Sequence, residues 1–251
     1  MPSPLTAETH HALRLFGSEP GRLGAHAVTL EVVVAAQEPD FTEYFFRRQH
    51  ACYSRFRSEA AAAPHQTRNT WKGVILIVAT DQTTGEIAGG VGLYERHPDS
   101  PLPVELAIGD TLQLQLALTR WNHEKVAELS GLWVEEHWRR TGLSTMLMLV
   151  AMSAAKLHRA TKVVGFSHQH VLEFYSTIGL LPDHGVGQYH YPDHKYVSTF
   201  IWGDPIQLST VPPEARPAIK AFASALTERR KITWAAVPQA RTNRQSSLAA
   251  P

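Results

Sequence analysis

The sequence predicts an α+β protein, with a mixed, mostly antiparallel sheet flanked by helices. Three observations carry this. Apolar, β-branched runs of strand length recur along the chain, and two of them, 72–81 and 87–97, are separated only by the turn QTTGE, which makes them a hairpin. Strands and helices do not alternate strictly, so the sheet cannot be wholly parallel. The GxGxxG and GxxxxGK[ST] phrases of doubly wound nucleotide-binding folds are absent.

Taken in order, residues 1–25 hold several prolines and glycines and read as a loosely docked arm. HAVTLEVVVAA, 26–36, is a first strand. A helix follows from Pro39, with Phe41, Phe45, Ala51 or Cys52, and Phe56 able to share a face. The hairpin comes next, and the glycines of its second strand (Gly89, Gly90, Gly92) suit a bulge or a close approach to a ligand. In the insertion 97–125, PDSPLP reads as loop. TLQLQLALTRW alternates like a strand, but its residue types favour a helix. VAELSGLWV, 126–134, is a strand, and the segment from Gly142 to about Arg159 is an apolar helix rich in Met and Leu. KVVGFS, 162–167, is a short buried strand, QHVLEFYSTIGL a helix ended near Gly179, and GVGQYHY with KYVSTFIW a last strand pair. A helix lies within 212–230. Residues 205–236 are expected to form a helical extension and 237–251 a flexible tail.

The chain has 251 residues, 43% apolar and 19% charged, enough to build a sizeable core. A net charge of +1 gives no basic footprint for nucleic acid. The single cysteine, Cys52, rules out a disulfide framework and reads as a buried, inert thiol. The first residues lack the long apolar core of a signal peptide, and no run reaches the roughly 18 apolar residues of a membrane span. A cytoplasmic setting without a membrane span is therefore expected.

The chemistry centres on Arg139-Arg140-Thr141-Gly142-Leu143-Ser144, where a strand hands over to a helix. The first amides of a helix lack partners and its dipole adds positive charge there. Gly142 permits close approach, two arginines add charge-assisted bonds, and Thr141 and Ser144 add hydroxyls. This is a cradle for a phosphate or pyrophosphate, or else an ordinary solvated turn.

With these strands around it, the turn resembles the [QR]-x-x-G-x-[GA] signature of the GNAT superfamily of N-acetyltransferases, with Ser144 in place of the usual Gly or Ala. EFYSTIGL, about thirty residues on, resembles a second phrase of that family. ELSGLWV after a long insertion is similar to the E-[VIL]-S-R-L-x-V phrase of the N-acyl amino acid synthases, relatives of the acyl-homoserine lactone synthases, with Gly131 in place of the usual Arg. The resemblance implies a GNAT-like acyltransferase domain over 26–204 and an acyl thioester donor, either acyl-CoA or acyl carrier protein. Its pantetheine would extend along Leu132-Trp133-Val134 and its phosphates would sit on Arg139, Arg140, Thr141, Gly142, Leu143 and Ser144. It also implies a primary amine as acceptor, an amino acid or similar small molecule.

Within that frame Glu128 is the candidate general base and Tyr175 the candidate acid that protonates the leaving sulfur. A backbone amide near Trp133 could hold the oxyanion. Structural roles remain open for both side chains. Arg48 and Arg55 share a helical face that would bind an acidic acceptor or a carrier protein, or simply face solvent. Among the 14 histidines, His168/His170 and His190/His194 have suggestive spacing, but polar-pocket roles are favoured, one histidine could relay the amine's proton, and no metal is expected. Gly89, Gly90, Gly92 and Gly131 could leave room for an acyl tunnel, or be tolerated irregularities. The alternatives are a non-catalytic acyl-CoA-binding or regulatory module, and an acyltransferase acting on a hydroxyl or a protein side chain.

Overall fold

The chain alternates its apolar side chains between two cores, and this alternation builds a sheet covered on both faces. A computed structural model describes residues 27–55, 71–97, 100–109, 111–228 and 232–235. The expected N-terminal arm and C-terminal tail, and Phe56 of the first helix, lie outside these residues. The elements are β1 (Ala27–Val34), α1 (Pro39–Ser54), β2 (Val74–Asp81), β3 (Ile87–Glu95), α2 (Pro103–Ile108), α3 (Leu112–Arg120), β4 (Val126–Val134), α4 (Leu143–Leu157), β5 (Lys162–His168), α5 (Leu172–Ser176), β6 (Leu181–Pro182), β7 (Gln188–His190), β8 (Val197–Gly203), α6 (Arg216–Thr227) and β9 (Ile232–Ala235).

The nine strands form one sheet in the order β6-β8-β5-β4-β3-β2-β1-β9, with β7 also on β8. All pairings are antiparallel except β4 with β5. On β2, Ile75, Ile77 and Ala79 face a core shared with α4 and α6, whereas Leu76 and Val78 face a second core shared with α1, α2 and α3. This is the period of two that a strand buried on both faces requires. Helix α4 is apolar almost all round, from Met146 to Ala155, because the sheet covers one side and α6 the other. Each of its fully buried Met and Leu side chains stabilises the fold by about 1.5–3 kcal/mol.

Two features of the sheet create the site. The first is a bulge in β4: Gly90 pairs with Trp133 but Gly92 with Ser130, and Gly131 sits at φ +72°. A left-handed residue at a bulge costs glycine nothing. The extra residue resets the alternation, so Ala127 and Leu129 face α4 before the bulge and Leu132 and Val134 after it. The second is a split. β4 and β5 pair only at Val126–Lys162, Ala127–Val163 and Glu128–Val164, and beyond that β4 has no ladder on its β5 side.

The structure changes the sequence expectations at several elements. The buried face of α1 is Thr42, Phe45, Phe46, Gln49 and Cys52, so of the two positions the sequence offered it is Cys52 that is buried, while Ala51 is exposed. TLQLQLALTR is helical, but only Leu114 and Leu118 of its four leucines are buried, while Leu112 and Leu116 are 67% and 58% exposed. The stretch read as loop up to Pro103 runs into α2, a helix not foreseen. The segment after α6 is not only helical: β9 adds an edge strand to β1, through Ala27–Ala235 to Leu30–Ile232. The hairpin glycines leave no tunnel. Space over Gly90 is occupied by Phe45 and over Gly92 by Tyr94, and a side chain on Gly89 would meet the Trp133 carbonyl.

Candidate active site

Where β4 parts from β5, two cavities open side by side. The smaller, about 290 Å³, is lined by Cys52, Tyr53, Leu132 to Val134, Trp138, Arg139, Arg140 and Ser144. The larger, about 470 Å³, includes Glu128, Ser130, Gly131, His168, Tyr175 and Ser198 in its wall. Tyr53, Leu132 and Ser144 line both. Sequence positions far apart thus meet in one groove, running from the 139–144 turn to Glu128 and Tyr175.

The turn has the geometry of an anion nest. Arg140 (φ +59°) and Gly142 (φ +90°) are both left-handed, which turns successive amides toward one side. Among the described residues nothing accepts a hydrogen bond from the backbone N–H of Arg140, Thr141, Gly142, Ser144 or Thr145. The Thr141 hydroxyl, expected to face a ligand, instead donates to the Trp138 carbonyl at 2.6 Å, and it accepts from the Leu143 amide at 3.4 Å. Leu143 itself is buried under the sheet, so its part in the turn is to anchor the helix. Arg139 turns back along the groove, its Nε 3.4 Å from the Val134 carbonyl and its Nη2 3.8 Å from the Cys52 sulfur. Arg140 is exposed.

Helix α1 lies across the split half of β4. Gln49 donates to the Gly131 carbonyl at 2.6 Å, and Tyr53 to the Leu132 carbonyl at 3.0 Å. The Cys52 thiol lies 3.7 Å from the Val134 carbonyl, and burial pushes its pKa up, which suits an inert thiol. The expected strand-like pairing along Leu132-Trp133-Val134 is therefore closed at two carbonyls: a pantetheine arm would meet the side chains of α1 there. The indole of Trp133 is buried and packs edge-on against Phe45.

Glu128 is 1% exposed. Its Oε2 accepts from the Val104 amide of α2 at 2.8 Å. Burial raises its pKa well above the usual carboxylate range, and the bonds from Val104 and Ser130 oppose this only in part. Tyr175 on α5 is half-buried, and burial lifts its phenol to about 12 against a hydrogen bond from Ser167, so it is a protonated donor at neutral pH. Arg48 and Arg55 do not reach for a ligand. They clamp the buried carboxylate of Glu135 at 2.7 and 2.9 Å, and Arg48 also holds Glu86 at 3.0 Å. The two arginines hold the Glu135 carboxyl below its usual range although burial pulls the other way.

Sequence reading missed Tyr53, Gln49, Ser167 and Ser198. For the first two a signal existed: Gln49, Cys52 and Tyr53 follow helical spacing on the apolar face of α1, where a glutamine has no reason to sit unless it satisfies a buried group. Among the described residues no group of three or more His, Cys, Asp and Glu side chains could hold a metal ion, and no helix is long and apolar enough to cross a membrane.

The model of the acetyltransferase (GNAT) family matches residues 36–180, and the chain belongs to that family: it is an acyltransferase of a class whose donor is acyl-CoA. No curated protein matches the chain by sequence. Among solved structures it is similar to FeeM, an N-acyl amino acid synthase from uncultured soil microbes, with 14% identity, 76% of this chain and 98% of that one covered, and a TM-score of 0.52. It is also similar to MesI, a CoA-dependent acyl-homoserine lactone synthase, with 13% identity, 79% and 95% covered, and a TM-score of 0.50. These two likenesses bear on the fold.

Proposed function

We propose that the protein is an N-acyltransferase that moves an acyl group from a thioester, acyl-CoA or acyl carrier protein, to a primary amine in a ternary complex. The acceptor is an amino acid or similar small molecule. One observation carries this: the free amides of the 140–145 turn and the pair Glu128 and Tyr175 lie along a single groove. The donor's phosphates would take the amides of Arg140, Thr141, Gly142, Ser144 and Thr145, with Arg139 and Arg140 adding charge. The arm would lie in the smaller cavity beside Leu132, Trp133 and Val134, against the α1 side chains and not strand-paired to the occupied carbonyls, and the thioester would reach the larger cavity. Holding both reactants there is worth about 7–11 kcal/mol.

Glu128 takes a proton from the incoming ammonium. Its raised pKa makes it a stronger base than an exposed carboxylate once ionised. The freed nitrogen attacks the acyl carbon, and Tyr175 protonates the departing sulfur. A cytoplasmic setting fits an acyl-CoA user with one buried thiol. The test is thiol release from a panel of acyl-CoAs and acyl carrier proteins, with and without amines. Amine-dependent release supports the reading. Release dependent on a hydroxyl compound or a protein side chain would reassign the acceptor, and donor binding without release would leave only a thioester-binding module.

A further inference from the structure

A primary amine that enters as an ammonium sheds two protons on its way to an amide, and Glu128 accounts for one. The larger cavity holds a second group built to accept a proton. His168, the last residue of β5, lies beside Ser198 on β8, its register partner, with Nδ1 2.9 Å from the serine Oγ. The Ser198 hydroxyl is buried and also lies 2.9 Å from the Tyr191 carbonyl, to which it donates. A hydroxyl has one proton. With that proton on the Tyr191 carbonyl, the Ser198 oxygen accepts, so Nδ1 of His168 carries the hydrogen and Nε2 keeps its lone pair. No other described residue hydrogen-bonds the ring, and both His168 and Ser198 line the cavity.

We propose that His168, held as the Nδ1–H tautomer by Ser198, is a further catalytic residue that takes onto Nε2 the proton released as the acceptor nitrogen bonds to the acyl carbon. Ser198 is its positioning residue. This assignment depends on the cavity being the acceptor site, as proposed above. The step balances. The nitrogen lone pair forms the C–N bond, and the nitrogen, now cationic, gives one proton to Nε2. The C–S electron pair goes to sulfur, which takes the proton of Tyr175. The products are an amide and a free thiol, and the proton on His168 passes through solvent to restore the phenol of Tyr175.

The surroundings keep the imidazole neutral. Burial lowers its pKa, and the ring of His170, stacked at 5.7 Å and 11°, lowers it further. Tyr196 packs on it at 4.9 Å. The other titratable groups of the cavity are Glu128, Tyr53, Tyr175 and Tyr191, and the last three are phenols raised by burial. His168 is therefore available as a base from below the ordinary histidine range upward.

Two readouts test this. Nitrogen NMR of the protein without substrate should show His168 with a protonated Nδ1 and a bare Nε2, and Ser198→Ala should disturb that preference. A protonated Nε2 in the native protein overturns the proposal whether or not acyl transfer is detected. In steady state, His168→Gln keeps a donor toward Ser198 but has no base. It should lower kcat about 100-fold with donor binding unchanged, and Ser198→Ala should lower it about 10-fold and shift the acid limb of the pH profile. Imidazole should restore part of the activity to His168→Ala. Unchanged turnover in His168→Gln overturns the proposal. If the wild type itself shows no amine-dependent release, the acyl-transfer reading fails instead, and the NMR result still decides the tautomer.

Discussion

Glu128, within β4, and Glu135, just past its end, are both shut away from solvent, at 1% and 4% exposure, yet the fold treats them in opposite ways. Glu135 has two guanidinium partners, and its pKa is pushed down. Among the described residues Glu128 has an amide and a hydroxyl as hydrogen-bond partners, and burial, with the nearby Glu105, pushes its pKa up. One glutamate joins α1 to the end of β4 as a structural tie. The other lies in the wall of a cavity with no cation against it among the described residues, which makes its ionised form costly for folding and is what the proposed proton transfer draws on. Depth alone does not separate the two; the nearest cation does.

The comparison can be broken by substitution. The largest expected effect is on turnover. Tyr175→Phe should lower kcat about 100-fold or more while donor binding, measured by calorimetry, stays near wild type. Unchanged turnover would remove the phenol as the acid. Glu128→Gln should lower turnover by a similar factor without loss of stability. The sign follows from the raised pKa: the contribution of Glu128 to stability is full below its unfolded value of about 4.3 and falls as pH rises through the folded value. The glutamine variant escapes that fall, so at pH 8 its melting temperature should equal or exceed that of the wild type. A marked drop would make Glu128 a structural residue.

Glu135→Gln should do the reverse, costing about 2 kcal/mol of stability at pH 7 while leaving the cavity's chemistry in place. Here the folded pKa is depressed, so stability is present above about 4.3 and is lost as pH falls through the folded value. Acid unfolding curves of the wild type and Glu135→Gln should converge at low pH, and curves that stay parallel would argue against the clamp. The smallest effect belongs to Arg139→Ala. Its guanidinium already rests on the Val134 carbonyl, so donor affinity should fall only about 10-fold, with kcat little changed. Unaltered affinity would take Arg139 out of the donor site.

Much of this was legible in sequence because local rules governed it. The hairpin, the apolar helix after Gly142 and the turn that leads into it follow from strand-length runs, turn residues and helix-end chemistry within a few positions. What stayed hidden depends on contacts between distant segments. Arg48 and Arg55 share a helical face in the sequence, but nothing local says that a glutamate at the end of β4 will claim both. Gly131 stands where a related phrase has arginine, and its role as the bulge that redirects β4 emerges only from the register with β3. β9 is a short run whose strand character comes from pairing with β1.

The most direct test is a crystal structure with a non-hydrolysable acyl-CoA. The account predicts its pyrophosphate on the amides of residues 140–145, its arm beside Leu132 to Val134, and its acyl carbon between Glu128, His168 and Tyr175. A pyrophosphate bound elsewhere, or an acyl carbon outside the larger cavity, would contradict it.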